Sequence, residues 1–202
     1  MSSVSPCWEQ EFYASGKFPR APYDTVASFV YRRLPAKPRT EVRVFEVGCG
    51  AGNNVWFLAS EGFSVAGSDG SQTAIDYARR RLAASGLAAD LRVEAFPKVS
   101  FEDGSFDLVV ERAALVYVPY KIACQTIEQI RRVLVPGGHF FFNPYSYHQD
   151  DVTHHPCFWN RTMIDDAFTC GWKLLRLHHS DLRDELENRP VVSEWRVEVE
   201  KV

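Results

Sequence analysis

The chain has 202 residues, of which 46% are hydrophobic and 24% are charged, a composition that suits one globular domain. Its 23 lysines and arginines against 26 aspartates and glutamates give a formal charge of -3, without the positive excess that nucleic-acid binding requires. No apolar run approaches the roughly 20 residues that span a bilayer, and the N-terminus lacks a signal-peptide pattern. We therefore expect a cytoplasmic monomer or homodimer without nucleic-acid or membrane partners.

Hydrophobic periodicity predicts alternating strands and helices along the chain. A helix follows Pro22, a strand over residues 42–47 enters a glycine turn, and a second helix ends near Gly62. Next come a strand (63–68), a helix (71–85), two strands (91–96 and 106–110) and a helix before residues 136–138. A strand (140–142), a helix (162–170) and a last strand near 195–199 follow, and the alternation of apolar residues in the last strand predicts burial on one face only. This order locates six strands and predicts an α/β fold, a Rossmann-like three-layer sandwich with a mostly parallel sheet, expected to be seven-stranded, and an antiparallel edge strand.

We expect a single domain over residues 1–202, because no linker or composition change divides the chain. Residues 1–40 would form an N-terminal lid and helix, residues 41–143 a cofactor-binding core, and residues 144–202 a substrate loop with the final helix and strands.

Three alternate glycines, Gly48, Gly50 and Gly52, follow the first predicted strand and precede a helix. Glycine tolerates a positive φ and lets a ligand lie against bare backbone. A dinucleotide fingerprint would place a glycine or alanine at position 53, where this chain has Asn53. A plain strand-to-helix turn is the alternative for this cluster by itself.

Acidic residues end the next two predicted strands. Asp69 lies about 20 residues after Gly48, where a carboxylate in an open α/β sheet accepts hydrogen bonds from ribose hydroxyls. It could also cap the following helix, and both roles can coexist. After the third strand, Glu94 and Ala95 could meet an adenine ring, with a plain strand end as the alternative.

Taken in order, residues 46–52, Asp69, Glu94-Ala95, residues 105–109 and residues 132–138 resemble the successive motifs of class I S-adenosylmethionine-dependent methyltransferases. The resemblance spans residues 42–143 and is of the small-molecule type (type 11 and 12). On shorter segments around Trp8, the glycine turn and residues 141–146, the chain is also similar to small bacterial methyltransferases of surface-polysaccharide synthesis.

The resemblance implies S-adenosyl-L-methionine as the cofactor and S-adenosyl-L-homocysteine as the product. It places the methionine part at the glycine turn, with Glu46 orienting the ammonium. The cofactor-binding residues that it implies are Glu46, Gly48, Cys49, Gly50, Gly52, Asn53, Asp69, Gly70, Glu94, Ala95 and Glu111. Because this cofactor has no phosphates and carries a sulfonium cation, nearby acids fit and no phosphate-binding lysine is needed.

Substrate contacts are expected from loops at the carboxyl ends of the strands. The aromatic stretch from Trp8 through Tyr13 to Tyr23 resembles a lid, although a helix packed on the sheet edge would give the same pattern. Arg112 could clamp an anionic or polar substrate, or form a surface ion pair with Glu111 or another acid.

The polar connection after the fifth strand supplies further candidates. Tyr145 could contact substrate, and either Tyr145 or His148 could act as a general base for a hydroxyl acceptor. His148, Asp150 and His154 invite a metal-site interpretation, but they match no recognised ligand pattern, and the five cysteines form no CxxC pair. We therefore predict no metal.

Together these features predict methyl transfer to the O, N or S atom of a small molecule, by in-line displacement in a lidded pocket. Catalytic roles are assigned to Arg112, Tyr145 and His148. An NAD(P)-dependent reductase is one alternative, although position 53 and the lack of an evident Tyr/Lys pair count against it. A non-catalytic cofactor-binding module is another.

Overall fold

The computed structural model describes Tyr13, residues 18–148 and residues 157–202. Three residues named above, Trp8, Asp150 and His154, lie outside the described residues, as does most of the predicted lid. Within the described part of the chain, no helix has the length and apolarity needed to cross a membrane.

The described residues form five α-helices and one sheet of eight strands. The helices are α1 (Asp24–Arg32), α2 (Asn53–Ser60), α3 (Gln72–Ala84), α4 (Tyr120–Val133) and α5 (Arg161–Ala167). The strands are β1 (Arg43–Val47), β2 (Ser64–Asp69), β3 (Asp90–Val93), β4 (Phe106–Arg112), β5 (Leu134–Asn143), β6 (Tyr145–His148), β7 (Trp172–Asp184) and β8 (Arg189–Lys201).

Strands β3, β2, β1, β4 and β5 lie side by side in that order and are all parallel. Strand β8 runs antiparallel to β5 and also pairs with β7 on its other side. The predicted antiparallel pairing at this edge is confirmed, but β7 rather than the last strand is outermost.

The sheet has eight strands where the sequence predicted seven, and periodicity located neither the short strand β6 nor the long strand β7. Strand β5 ends at Asn143, and β6 continues from Tyr145 along the same side of β8. Pro144 lies at the break, and a proline has no N–H to donate to a strand ladder.

Helices cover both faces of the sheet, so the predicted three-layer sandwich is confirmed. One buried apolar cluster joins α1, α2 and α3 to one face, and a second joins α4 and α5 to the other. The centre of β4 is buried throughout, as expected for a strand covered on both faces.

The prediction that the last strand is buried on one face only is wrong near Glu198. This side chain is 1% exposed, although the alternation placed it towards solvent. Arg32 and Arg33, at the end of α1, approach its carboxylate to 3.1 and 2.8 Å, and Arg176 of β7 approaches to 3.8 Å. A buried carboxylate needs such partners, since an unpaired one is costly.

The parallel order leaves a crevice at the carboxyl ends of β1 and β4. From β1 the chain turns to β2 and β3 on one side, whereas from β4 it turns to β5 on the other. Open α/β sheets bind their ligands at such a switch point. Gly48, Asp69 and Arg112, which end or follow β1, β2 and β4, therefore meet at one edge.

Gly52 is required by packing, because its φ is +73° and an added Cβ would lie 2.8 Å from Cβ of Ala78 in α3. We expect Gly52→Ala to cost about 1–2 kcal/mol through backbone strain and about 1–3 kcal/mol more through overpacking. Gly104→Ala is the matched control, since its φ is +63° and its added Cβ meets no described atom within 4 Å. Urea unfolding of both variants tests this, and equal losses of stability would contradict the packing role.

Candidate active site

A cavity of about 280 Å³ opens at the carboxyl ends of β1, β2 and β4. Its walls come from the turn after β1, the loops after β2, β3 and β4, the start of β6 and the segment before α1. The lining residues are Tyr13, Pro19, Tyr23, Glu46, Gly48, Cys49, Gly50, Ala51, Asn53, Asn54, Asp69, Gly70, Ala95, Phe96, Arg112, Ala113, Ala114, Tyr117, Val118 and Tyr145.

The three glycines of the turn have different structural roles. An added Cβ at Gly48 would lie 2.2 Å from Cβ of Ala114, so this glycine lets the loop after β4 approach β1. Gly50 faces the cavity, and its added Cβ would lie 3.0 Å from the Tyr13 hydroxyl. Gly52 does not line the cavity, and its assignment to the cofactor contacts stays a prediction.

Asp69 links the glycine turn to the start of α3. Its Oδ2 accepts a hydrogen bond from the N–H of Gly50, and its Oδ1 accepts one from the N–H of Ser71, both at 2.9 Å. The carboxylate also lines the cavity. Helix α3 is capped by Ser71, whose hydroxyl accepts the N–H of Ala74, so Asp69 supports the cap residue rather than capping the helix itself.

Glu46 lies at the floor of the cavity and is 3% exposed. Its Oε1 accepts a hydrogen bond from Nδ2 of Asn54 at 2.6 Å, whereas its buried Oε2 has no hydrogen-bond partner among the described residues. Burial, and to a smaller extent the charges of Asp69 and Glu111, raises the pKa of Glu46 to about 8. The carboxyl group is therefore mostly protonated at pH 7, and a cation bound beside it would lower the pKa.

Asn54 is a site residue that the sequence analysis missed. Besides its bond to Glu46, its Oδ1 accepts the backbone N–H of Tyr23 at 2.9 Å, which ties the segment before α1 to the site. Its neighbour Asn53 donates to the carbonyl of Ala21 at 3.0 Å and also lines the cavity. The sequence signal for these contacts was the pair of adjacent amide side chains at the start of α2.

Two acids predicted to contact the cofactor form hydrogen bonds to the loops that follow their strands. Glu111 is fully buried, and its Oε1 accepts the N–H groups of Ala114 and Leu115 at 2.6 and 2.8 Å. Glu94 accepts the N–H and hydroxyl of Ser100. Neither lines the cavity, because their carboxylates are directed to backbone donors in the loops that follow.

Other predicted cofactor residues do lie on the cavity wall. Ala95 is joined there by Phe96, and Gly70 follows Asp69 on the same wall. Cys49 is also there, and burial raises the pKa of its thiol well above the ordinary value, so the thiol stays protonated.

Arg112 is buried rather than part of a surface ion pair, and its partner is not Glu111. Its Nη2 lies 3.3 Å from Oε2 of Glu194, and its guanidinium carbon lies 4.6 Å from the ring centre of Tyr23 and 4.9 Å from that of Tyr145. Burial lowers the pKa of Arg112, but its interactions with Tyr145, which include a side-chain hydrogen bond, and with the carboxylate of Glu194 outweigh this effect, so the pKa is raised.

The remaining candidates divide between the cavity and its surroundings. Tyr13 and Tyr145 line the cavity, as their substrate-binding assignment requires. His148 does not line it, although its ring lies 5.0 Å from that of Tyr145, and its catalytic assignment stays a prediction. Within the described ranges, no group of three or more His, Cys, Asp and Glu side chains is arranged to hold a metal ion.

The family model described as a methyltransferase domain matches residues 44–138, the segment that builds most of this cavity. The ubiquinone biosynthesis O-methyltransferase of Chelativorans sp. is 32% identical over 106 residues, which are 52% of this chain and 41% of that protein. The predicted resemblance to the class I S-adenosylmethionine-dependent methyltransferases is confirmed over this segment. The chain aligns with less than half the length of this relative.

Two further methyltransferases match over more of their length. The thiopurine S-methyltransferase of Vibrio atlanticus is 25% identical over 161 residues, which are 74% of each chain. The magnesium protoporphyrin IX methyltransferase of Synechocystis, solved with bound S-adenosylmethionine, superposes with a TM-score of 0.70 at 16% identity. That superposition covers 97% of this chain and 94% of the other and shows the methyltransferase fold.

The raised pKa of Glu46 predicts a pH-dependent stability. Because the folded protein holds this proton up to about pH 8 while the unfolded carboxyl titrates near 4.5, the folded state binds more protons between these values. The free energy of unfolding should therefore fall as pH rises through this window, by at most about 1.4 kcal/mol per pH unit.

Urea unfolding of the wild type and Glu46→Gln at several pH values between 5 and 8 tests this, since the amide cannot ionise. We expect the variant to lose stability less steeply than the wild type. The exposed Glu41→Gln is the control and should follow the wild type. Parallel profiles for the wild type and Glu46→Gln would contradict the buried, proton-holding carboxyl.

Proposed function

We propose that this methyltransferase transfers a methyl group from S-adenosylmethionine to the O, N or S atom of a small molecule. The observation that carries the proposal is one continuous cavity that joins Glu46, Gly50 and Asp69 to Arg112 and Tyr145. The first three lie where the family places its cofactor. The last two offer charge and aromatic surface for a second ligand in the same space.

The residues of the cavity fit the cofactor. The buried Oε2 of Glu46, which has no hydrogen-bond partner within the described part of the chain, suits the ammonium of the methionine part. Asp69 would accept hydrogen bonds from the ribose, and Ala95 with Phe96 would border the adenine. Gly50 presents bare backbone on the same wall. When bound, the cofactor supplies an electrophilic methyl group on a sulfonium.

The task of the protein is then alignment and exclusion of water, because an in-line displacement needs the nucleophile, the methyl carbon and the leaving atom in line. Tyr13 is 8% exposed beside the glycine turn, and the bond between Asn54 and Tyr23 holds the segment before α1 over the site. His148 lies away from the cavity wall, so we assign it no proton transfer. We keep Arg112 and Tyr145 as the residues that meet the acceptor.

Two observations support a small-molecule acceptor. The cavity has a volume of about 280 Å³, and two relatives are named for ubiquinone biosynthesis and for thiopurines. We also propose that residues 1–202 act as one domain. In support, the cavity takes wall residues from the segment before residue 40, from the core over 41–143 and from the segment after residue 144.

Thermal unfolding in the presence of S-adenosylhomocysteine, S-adenosylmethionine, NADH and NADPH tests the cofactor directly. A ligand at 100 times its dissociation constant adds about 2.7 kcal/mol, which raises the midpoint of a domain of this size by roughly 5–10 °C. We expect only the two sulfur compounds to raise it. A rise in the midpoint with a nicotinamide cofactor alone would favour a reductase. No rise with any of the four compounds would contradict the proposal and favour a non-catalytic module.

The glycine turn gives a sharper test of where the cofactor binds. Gly50→Ala adds a Cβ on the cavity wall at φ +51°, and Gly62→Ala adds one at φ +85° where no described atom lies within 4 Å. Both variants carry backbone strain, but we expect only Gly50→Ala to weaken S-adenosylhomocysteine binding, by about tenfold or more (~1.4 kcal/mol). Equal affinities by titration calorimetry would place the cofactor elsewhere.

A further inference from the structure

The guanidinium of Arg112 has open hydrogen-bonding capacity inside the cavity. The side chain is 11% exposed and lines the cavity, and its Nη2 pairs with Glu194 at 3.3 Å. Its Nε and Nη1 are buried and have no hydrogen-bond partner among the described residues. Leaving buried donors of a charged group without partners is costly, so this arginine is suited to a ligand that completes its hydrogen bonds.

The charges around Arg112 leave an excess of positive charge. Glu194 is 8% exposed and is shared by two arginines, because Nε of Arg196 also lies 2.8 Å from its Oε1. One carboxylate thus faces two guanidinium groups. The acids that line the cavity, Glu46 and Asp69, belong to the part assigned to the cofactor. An anionic ligand is therefore favoured beside Arg112, whereas an ammonium group is repelled.

Aromatic and aliphatic side chains surround this charge. Tyr23 and Tyr145 hold the guanidinium within 5 Å of their ring centres and fix its position. Tyr117 and Val118 line the same cavity and add apolar wall. A ligand with a flat apolar body and one anionic group would match both features of this part of the cavity.

Resting on the proposed function, we propose that the methyl acceptor is a small organic anion with an apolar body, whose carboxylate or thiolate is bound by Arg112. Arg112 then determines specificity by charge, and Tyr23 and Tyr145 keep its guanidinium in place. The two anionic groups share the chemistry that a buried guanidinium recognises, namely a compact negative charge that accepts several N–H bonds.

The test measures binding to the complex with S-adenosylhomocysteine by titration calorimetry. The probes are benzoate and thiophenolate as anions, benzamide and benzyl alcohol as neutral counterparts, and benzylamine as the cation. We expect at least one anion to bind tenfold or more tightly than the neutral and cationic probes. A neutral or cationic probe that binds as tightly, or the absence of anion binding at millimolar concentration, would overturn the proposal.

Three variants separate charge recognition from folding. Arg112→Met should abolish the preference for the anion, and Arg112→Lys should keep part of it because the charge remains. Arg161→Met is the matched control, since Arg161 pairs with Asp165 on α5 and does not line the cavity, and its preference should equal that of the wild type. A preference that survives in Arg112→Met would refute the role of this residue.

Binding of S-adenosylhomocysteine itself reports both folding and the proposed function. We expect it to be retained in all three variants, because Arg112 lies outside the part of the cavity assigned to the cofactor and Arg161 lies outside the cavity. If the wild type fails to bind S-adenosylhomocysteine, the proposed function falls, and this inference falls with it. If it binds but shows no preference for anions, only the inference about the acceptor falls.

Discussion

The site depends on how closely the backbone of the turn after β1 approaches its neighbours. There is no space for a Cβ between Gly48 and Ala114 or between Gly52 and Ala78, so the turn is in contact with both the loop after β4 and helix α3. Any side chain at these two positions would separate elements that must touch. Gly50 lies between them, and its backbone faces the cavity.

The buried carboxylates differ in how many of their oxygens are bonded to the backbone and how many remain for a ligand. Glu111 accepts three backbone N–H groups and so holds the loop after β4 and the end of β5. Asp69 uses both oxygens on backbone donors but still lines the cavity. Glu46 keeps one buried oxygen without a described partner. Because burying a carboxylate is costly unless it is hydrogen-bonded, the acid whose bonding is incomplete is the one best suited to a ligand.

Sequence reasoning succeeded where a local pattern determines the outcome and failed where distant contacts do. The order of strands and helices and the glycine turn follow from periodicity and from the backbone freedom of glycine. Motif position also placed Glu94 near the cavity, but it did not reveal that the carboxylate bonds to Ser100 in the loop beyond. Likewise, alternation placed Glu198 in solvent, since the arginines that bury it come from α1 and β7. The partner of Arg112, Glu194, is 82 residues away along the chain and was equally invisible.

The two ends of the cavity are connected by a short chain of contacts. Glu46 bonds to Asn54, Asn54 accepts the backbone N–H of Tyr23, and the ring of Tyr23 covers the guanidinium of Arg112. An acidic end suited to a cationic cofactor and a cationic end suited to an anion thus share one structural link. The contacts that hold Glu46 therefore also hold the segment that carries Tyr23, so a change at Asn54 would disturb both ends of the cavity.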